Sequence, residues 1–181
     1  MQNTEEFRAE QRRVVAGMVS GLAITALALM LAAAWEPVGM PVRPLTERLQ
    51  VALRTDLFVI GWLAAAIANV ARLRFFSPDD IAGGKVGLGS KSIQDATAIL
   101  QNTFEQCVLA ISTHLAFATV SGHPTSILIT LAILFCAGRA MFWIGYRRGA
   151  NGRALGFALT FYPTIAMLGM SAVTIALGTT Q

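Results

Sequence analysis

The chain has 181 residues, about one domain on the usual prior of roughly 100 to 200 residues, and 55% of them are apolar while 13% are charged. An average soluble protein carries about 25% charged residues, so this chain cannot solvate a whole surface, and soluble and disordered classes are nearly excluded. Its net charge of +4 comes from Lys and Arg clustered between long uncharged runs, a pattern of membrane topology and not of nucleic acid binding.

Five apolar segments approach the roughly 20 residues that an α-helix needs to cross a bilayer. They are Val14 to Trp35, Leu57 to Val70, Ile93 to Val120, Ile127 to Gly145 and Leu155 to Leu177. The first resembles a signal peptide in its Ala32-Ala33-Ala34 stretch, but it exceeds the about 7 to 15 residues of a signal-peptide core. It is also flanked by Glu5, Glu6 and Glu10 as well as arginines, so a retained helix is expected. Gly17 and Gly21 within it have the GxxxG spacing that allows close helix approach. The second segment spans only if it begins near Val51, with Arg54, Asp56 and Arg72 at the interfaces. Ser77-Pro78 ends it, because the residue before proline is pushed out of the helical region. The glycines from Gly83 to Gly89 lack the strand and the Lys-Ser/Thr step of a phosphate loop and read as a connector. Ser92 with Asp95 reads as a capping box for the third helix.

Ten of the fourteen Lys and Arg residues fall at the N-terminus, in the second connection and in the fourth, whereas Arg43, Arg48 and Arg54 fall on the other side. The positive-inside rule then makes the ten-charge side, with the N-terminus, cytoplasmic in a multi-pass integral membrane protein. Arg139 lies within a span. Cys107 and Cys136 sit in apolar runs and read as packing residues. His114 and His123 are too few to hold a metal and read as packing and turn residues, so no metal site is expected.

Ionisable groups inside hydrocarbon cost roughly 2.5 to 3.5 kcal/mol at a helix centre and face the bundle interior. On the third helix Asp95, Asn102 and Glu105 share a stripe, as do Arg139, Phe142 and Tyr146 on the fourth. At 1.5 Å per residue, Asn102 and Glu105 lie roughly 14 and 18 Å inward from Ile93, and Arg139 about 14 Å from Arg148. Antiparallel packing therefore predicts a cationic, cytoplasm-facing pocket with Glu105 and Asn102 near Arg139. A register-fixing ion pair is the bland alternative.

The stretch Leu100-Gln-Asn-Thr-Phe-Glu-Gln106 resembles the Asn-x-x-Glu signature on the second helix of the MAPEG family, the membrane-associated proteins of eicosanoid and glutathione metabolism. Gly138-Arg-Ala-Met-Phe-Trp-Ile-Gly-Tyr146, followed by Arg148, Arg153 and Gly156-Phe157, resembles that family's third helix and the start of its fourth. The resemblance covers roughly residues 55 to 178 and implies an all-α integral membrane bundle of four helices. Residues 51–181 would form that MAPEG-like domain, and residues 1–50 a cytoplasmic segment, an extra N-terminal transmembrane helix and a connecting loop.

It further implies a homotrimer in the lipid bilayer, similar to the microsomal glutathione transferases, that binds glutathione as co-substrate together with a lipophilic small-molecule substrate. Asn102 and Glu105 match positions that hold the glutathione amino end, and Arg139 and Tyr146 match positions lining its site. Arg148 is an implied further contact, and either Arg72 or Arg74 supplies another cation. Arg153 matches the catalytic position that stabilises the glutathione thiolate.

Two positions depart from the family pattern. Ala98 stands where catalytic relatives usually carry an arginine that binds a glutathione carboxylate, a contact of about 1.5 to 3 kcal/mol or roughly ten- to a hundredfold in affinity. Phe142 replaces a tyrosine or histidine. The leading expectation is a glutathione-dependent transferase or peroxidase. The rivals are a non-catalytic binder of lipophilic ligands on the same fold and, third, a small transporter or channel using Glu105 and Arg139.

Overall fold

A computed structural model describes residues 4–35, 41–78, 80–81 and 89–178. These form five α-helices in up-and-down order: α1 Thr4–Ala34, α2 Leu45–Phe75, α3 Lys91–Val120, α4 Thr125–Gly145 and α5 Gly149–Ala176. A single 3₁₀ turn, Tyr146–Arg148, joins α4 to α5. All five apolar segments are helical, and the second extends well beyond its apolar run in both directions. Proline explains two starts: Pro44 and Pro124 occupy the residue before α2 and α4, where no intrahelical N–H is needed. The third start differs from expectation. Ser90, not Ser92, caps α3, its hydroxyl accepting from the Ile93 N–H at 3.4 Å. Asp95 lies a turn inside the helix and pairs with Lys91 at 3.2 Å instead of closing a capping box. Apart from Gly89, the predicted glycine connector lies outside the described residues.

Helix packing is set by small residues. On α5, a Cβ added at Gly156 would meet the Phe142 backbone nitrogen at 2.3 Å and the Gly138 carbonyl at 2.7 Å, so α4 and α5 touch backbone to backbone. The GxxxG expectation in α1 is met by the same geometry: a Cβ at Gly17 would lie 3.2 Å from the Ala154 Cβ, and one at Gly21 2.4 Å from that of Ala158. This pairing runs α1 parallel to α5. Two apolar clusters fill the bundle. One gathers Ala52, Phe117, Leu128, Leu131 and Met167 around Ala32; the other joins Val59, Cys107, Ala110 and Phe135.

Asp56 does not sit at an interface, as its place near the end of an apolar run suggested. Both it and His114 are 1% exposed, and the His114 Nδ1 meets the Asp56 Oδ1 at 2.5 Å. The extra turns of α2 before Val51 place Asp56 well inside the helix, where a buried carboxylate must find a partner.

Large apolar side chains cover the outside: Leu22, Leu57, Phe58, Ile133 and Ile144 are all exposed. In water so extensive an apolar surface would be a liability, whereas in a bilayer it is the required lining. Three helical stretches are long and apolar enough to cross a membrane, Thr4–Ala34, Leu45–Phe75 and Thr125–Ala176, the last taking in both α4 and α5. α3 has the length but carries more polar residues, of which it buries Thr103, Gln106, Thr113 and His114 inside the bundle. The protein is an all-α integral membrane bundle.

Candidate functional site

One end of the bundle collects the N-termini of α1, α3 and α5, the C-terminus of α2 and the 3₁₀ turn. Most of the positive charge predicted to share one side lies here. Asp80 closes the α2–α3 connection, accepting from the Ser77 hydroxyl at 2.7 Å and the Ser90 N–H at 3.2 Å. The Ser77 hydrogen bond, opposed by burial and aided by Ser90, holds its carboxyl below the ordinary value.

Inward from this end, Arg139 of α4 is 1% exposed. Its Nη1 donates to the Asn102 Oδ1 at 2.8 Å and its Nη2 to the Thr160 hydroxyl at 2.7 Å, so α3, α4 and α5 meet on one guanidinium. Its carbon lies 4.6 Å from the Phe142 ring centroid, over a face that favours a cation. Its Nε has no hydrogen-bond partner among the described residues. The Phe142 ring stands edge-on to Tyr146 at 5.7 Å, and the Tyr146 ring in turn carries the Arg153 guanidinium at 4.8 Å. Two rings thus stand between two cations, from the interior to the charged end.

Two cavities meet at the outer pair. A polar one of about 610 Å³ is lined by Lys91, Asp95, Arg147 and, on its inner side, Tyr146 and Arg153. An apolar one of about 440 Å³ shares Tyr146 and Arg153 and is otherwise walled by Asn102, Phe142, Phe157 and alanines of α3 and α5, with Val14 and Met18 of α1 opposite. Both volumes are in the range of small-molecule sites.

The expected residues therefore divide. Asn102, Arg139, Tyr146 and Arg153 come together. Glu105 does not join Arg139: it is exposed and accepts from the Gln101 amide at 2.9 Å. Three residues past Asn102 is 300° of turn, so Glu105 sits 60° off the seam at 100° per residue, enough to swing it outward once Asn102 faces α4. The transporter reading, which needed Glu105 and Arg139 as a relay, loses its contact. Arg72 bonds to Asn69 at 3.0 Å and lines a third cavity with Tyr146 and Arg147. Arg74 lies near Asp80 instead. Arg148 is exposed at the turn before α5.

Sequence reasoning missed Lys91 and Arg147 as cavity residues and Thr160 as the second hydrogen-bond anchor of Arg139. The Lys91–Asp95 spacing was a usable signal. Arg147 was hidden because the 3₁₀ turn changes the angular step there.

The family model described as MAPEG family matches residues 51–173, which is more than half of the chain and runs from α2 into α5. No individual curated protein and no solved structure matches. α1 lies wholly before the matched stretch, and the described cluster from Asn102 to Arg153 lies wholly within it. The chain is a member of the MAPEG family.

Proposed function

We propose that this MAPEG-family membrane protein is a glutathione-dependent transferase or peroxidase that acts on a lipophilic electrophile or hydroperoxide. The observation that carries this reading is the shared position of Tyr146 and Arg153, which line a polar cavity on one side and an apolar cavity on the other. A reaction between a water-soluble thiol and a membrane-soluble acceptor needs such a junction. Glutathione brings two carboxylates, an ammonium and a thiol. Lys91, Arg147 and Arg153 offer the cations and Asp95 the anion. A free thiol with a pKa of about 8.5 is mostly protonated at pH 7, and the permanently charged Arg153 favours its thiolate. The proton passes to solvent, and the thiolate then attacks an acceptor seated in the apolar cavity. At an electrophilic carbon the C–S bond forms as a leaving group departs, or as a conjugated C=C pair takes up a solvent proton. At a hydroperoxide the S–O bond forms as O–O breaks to release the alcohol, and the glutathione sulfenic acid then condenses with a second glutathione to disulfide and water.

We further propose that the protein is a homotrimer, and Glu105 supports this. It lies about 21 Å along α3 from Lys91 at 1.5 Å per residue, beside the exposed Phe104 and Val108. A carboxylate facing lipid at that depth is costly, and a neighbouring subunit or the glutathione ammonium would satisfy it. The charged end is assigned to the cytoplasm, the side from which glutathione would enter.

The test is the ultraviolet difference spectrum of the purified protein with glutathione. The expected result is a saturable thiolate band that Arg153→Ala reduces by at least about tenfold, a loss of roughly 1.4 kcal/mol of thiolate stabilisation. One observation favours the binding-protein reading: Ala98 lines the apolar cavity, so that wall carries a methyl group where catalytic relatives carry an arginine. That reading predicts retained lipophile binding with no thiolate band in folded protein.

A further inference from the structure

We infer that α1, the helix outside the family-matched stretch, is the specificity wall of the site: Val14 and Met18 select the acceptor, and the acceptor they select is a slender single-chain lipophile with its polar end at Arg153. The inference rests on the proposed function only for which end of the ligand reacts.

α1 is registered, not merely adjacent. Val14, Gly17, Met18 and Gly21 follow the i, i+3, i+4, i+7 spacing of one helix face. The two glycines bring that face into backbone contact with α5 at Ala154 and Ala158. A slip of one residue would drive a side chain into this contact, so Val14 and Met18 have fixed heights beside the first turns of α5. At those heights they form one side of the apolar cavity.

The cavity has a polarity gradient. Among the described residues of its lining Arg153 is the one ionised side chain, at the end it shares with the polar cavity. Phe157, one turn deeper on α5, lies about 6 Å further along the helix at 1.5 Å per residue. The α1 contribution is wholly apolar, and Ala98, Ala150 and Ala154 keep the remaining wall smooth. Such a lining rejects a second charge, because an unpaired ion against Met18 and Phe157 would lose its water without compensation. The outward-facing Val19 and Leu22 of the same helix meet lipid, which gives an internal reference.

The experiment uses the full chain in lipid nanodiscs with a medium-chain fatty alcohol that carries a diazirine in mid-chain. Irradiation is expected to label Phe157 and the Val14–Met18 turn in a manner displaced by excess 2-alkenal. Val19 and Leu22 should show only non-displaceable labelling from the bilayer. Met18→Trp, which fills the cavity, and Gly21→Leu, which lifts α1 from α5, should each abolish the displaceable label. Met18→Ala, which removes volume without crowding, should shift the displacement preference from linear to branched and aromatic competitors.

Displaceable labelling of Phe157 that all three variants leave unchanged would overturn the assignment, as would labelling that never differs from that of Val19. With glutathione present, Met18→Trp should raise the KM for long 2-alkenals about tenfold, as loss of apolar pocket contacts does, while the thiolate band persists. If the wild type forms no thiolate, the proposed enzymatic function fails and the labelling still decides the role of α1.

Discussion

Of the buried polar groups among the described residues, the Asp56–His114 pair and Arg139 make the sharpest contrast, and they differ in whether they connect to a cavity. Asp56 and His114 sit buried in the half away from the charged end and meet each other directly, the second Asp56 oxygen having no hydrogen-bond partner among the described residues. Arg139 sits in the other half and is held by the neutral oxygens of Asn102 and Thr160. Its charge is continued through Phe142 and Tyr146 to Arg153 and two cavities. Burial of an ionisable group in a membrane helix marks both sites equally. Connection to a cavity through a second cation marks only one, and that distinction separates a fold-fixing pair from a site.

The strongest way to break the comparison is Asp56→Ala. It leaves His114 buried without its partner and should cost about 3–5 kcal/mol, the penalty for breaking a buried pair from one side. Replacing both residues with apolar ones of similar volume should restore most of the loss. Thermal unfolding in detergent measures both, and the thiolate band of any variant that still folds should equal that of the wild type. A stable Asp56→Ala protein with altered thiolate formation would join the two sites and end the distinction.

Asn102→Ala tests the open site. Removing a hydrogen bond to a charged group should cost about 1.5–3 kcal/mol, and the freed guanidinium should also weaken glutathione binding in titration calorimetry. If stability falls with no change in binding, Arg139 belongs with Asp56 as a structural group.

The smallest effect is local and depends on pH. The carboxyl pKa of Asp80 is lowered in the folded protein, so its contribution is present above the ordinary carboxyl value of 3.8 and is lost as the pH falls through the lowered folded value. Hydrogen exchange at the Ser90 and Ile93 amides should accelerate below that value in the wild type. In Asp80→Asn the acid-dependent step should be absent.

The helices were legible because a bilayer imposes length and hydropathy on every span, and all five apolar runs became helices. Their ends were less so: Ser92 and Asp95 fit a capping rule, but Ser90 has the same chemistry two residues earlier, Asp80 accepts from its N–H, and the Gln94 amide donates back to the Gly89 carbonyl. Within the site, helical phase brought out Asn102, Arg139 and Tyr146 and misplaced Glu105 by 60°, an error that a stripe counted by eye absorbs and a hydrogen bond does not. Asp56 and His114 were seen as single residues, since nothing local connects positions on two different helices. Val14 and Met18 were not legible at all. An apolar side chain facing a cavity and one facing lipid look the same in a sequence.

The parallel contact between α1 and α5 also sets an order of assembly. α1 leaves the ribosome before its docking surface on α5, so Gly17 and Gly21 must wait in the bilayer until Ala154 and Ala158 have been made and inserted. Loop closure of this length is slow relative to the pairing of neighbours such as α2 with α3. The apolar cavity is therefore completed only once α5 has docked on α1, and a chain truncated before α5 would be left with an exposed glycine groove on α1 that marks it as unfinished.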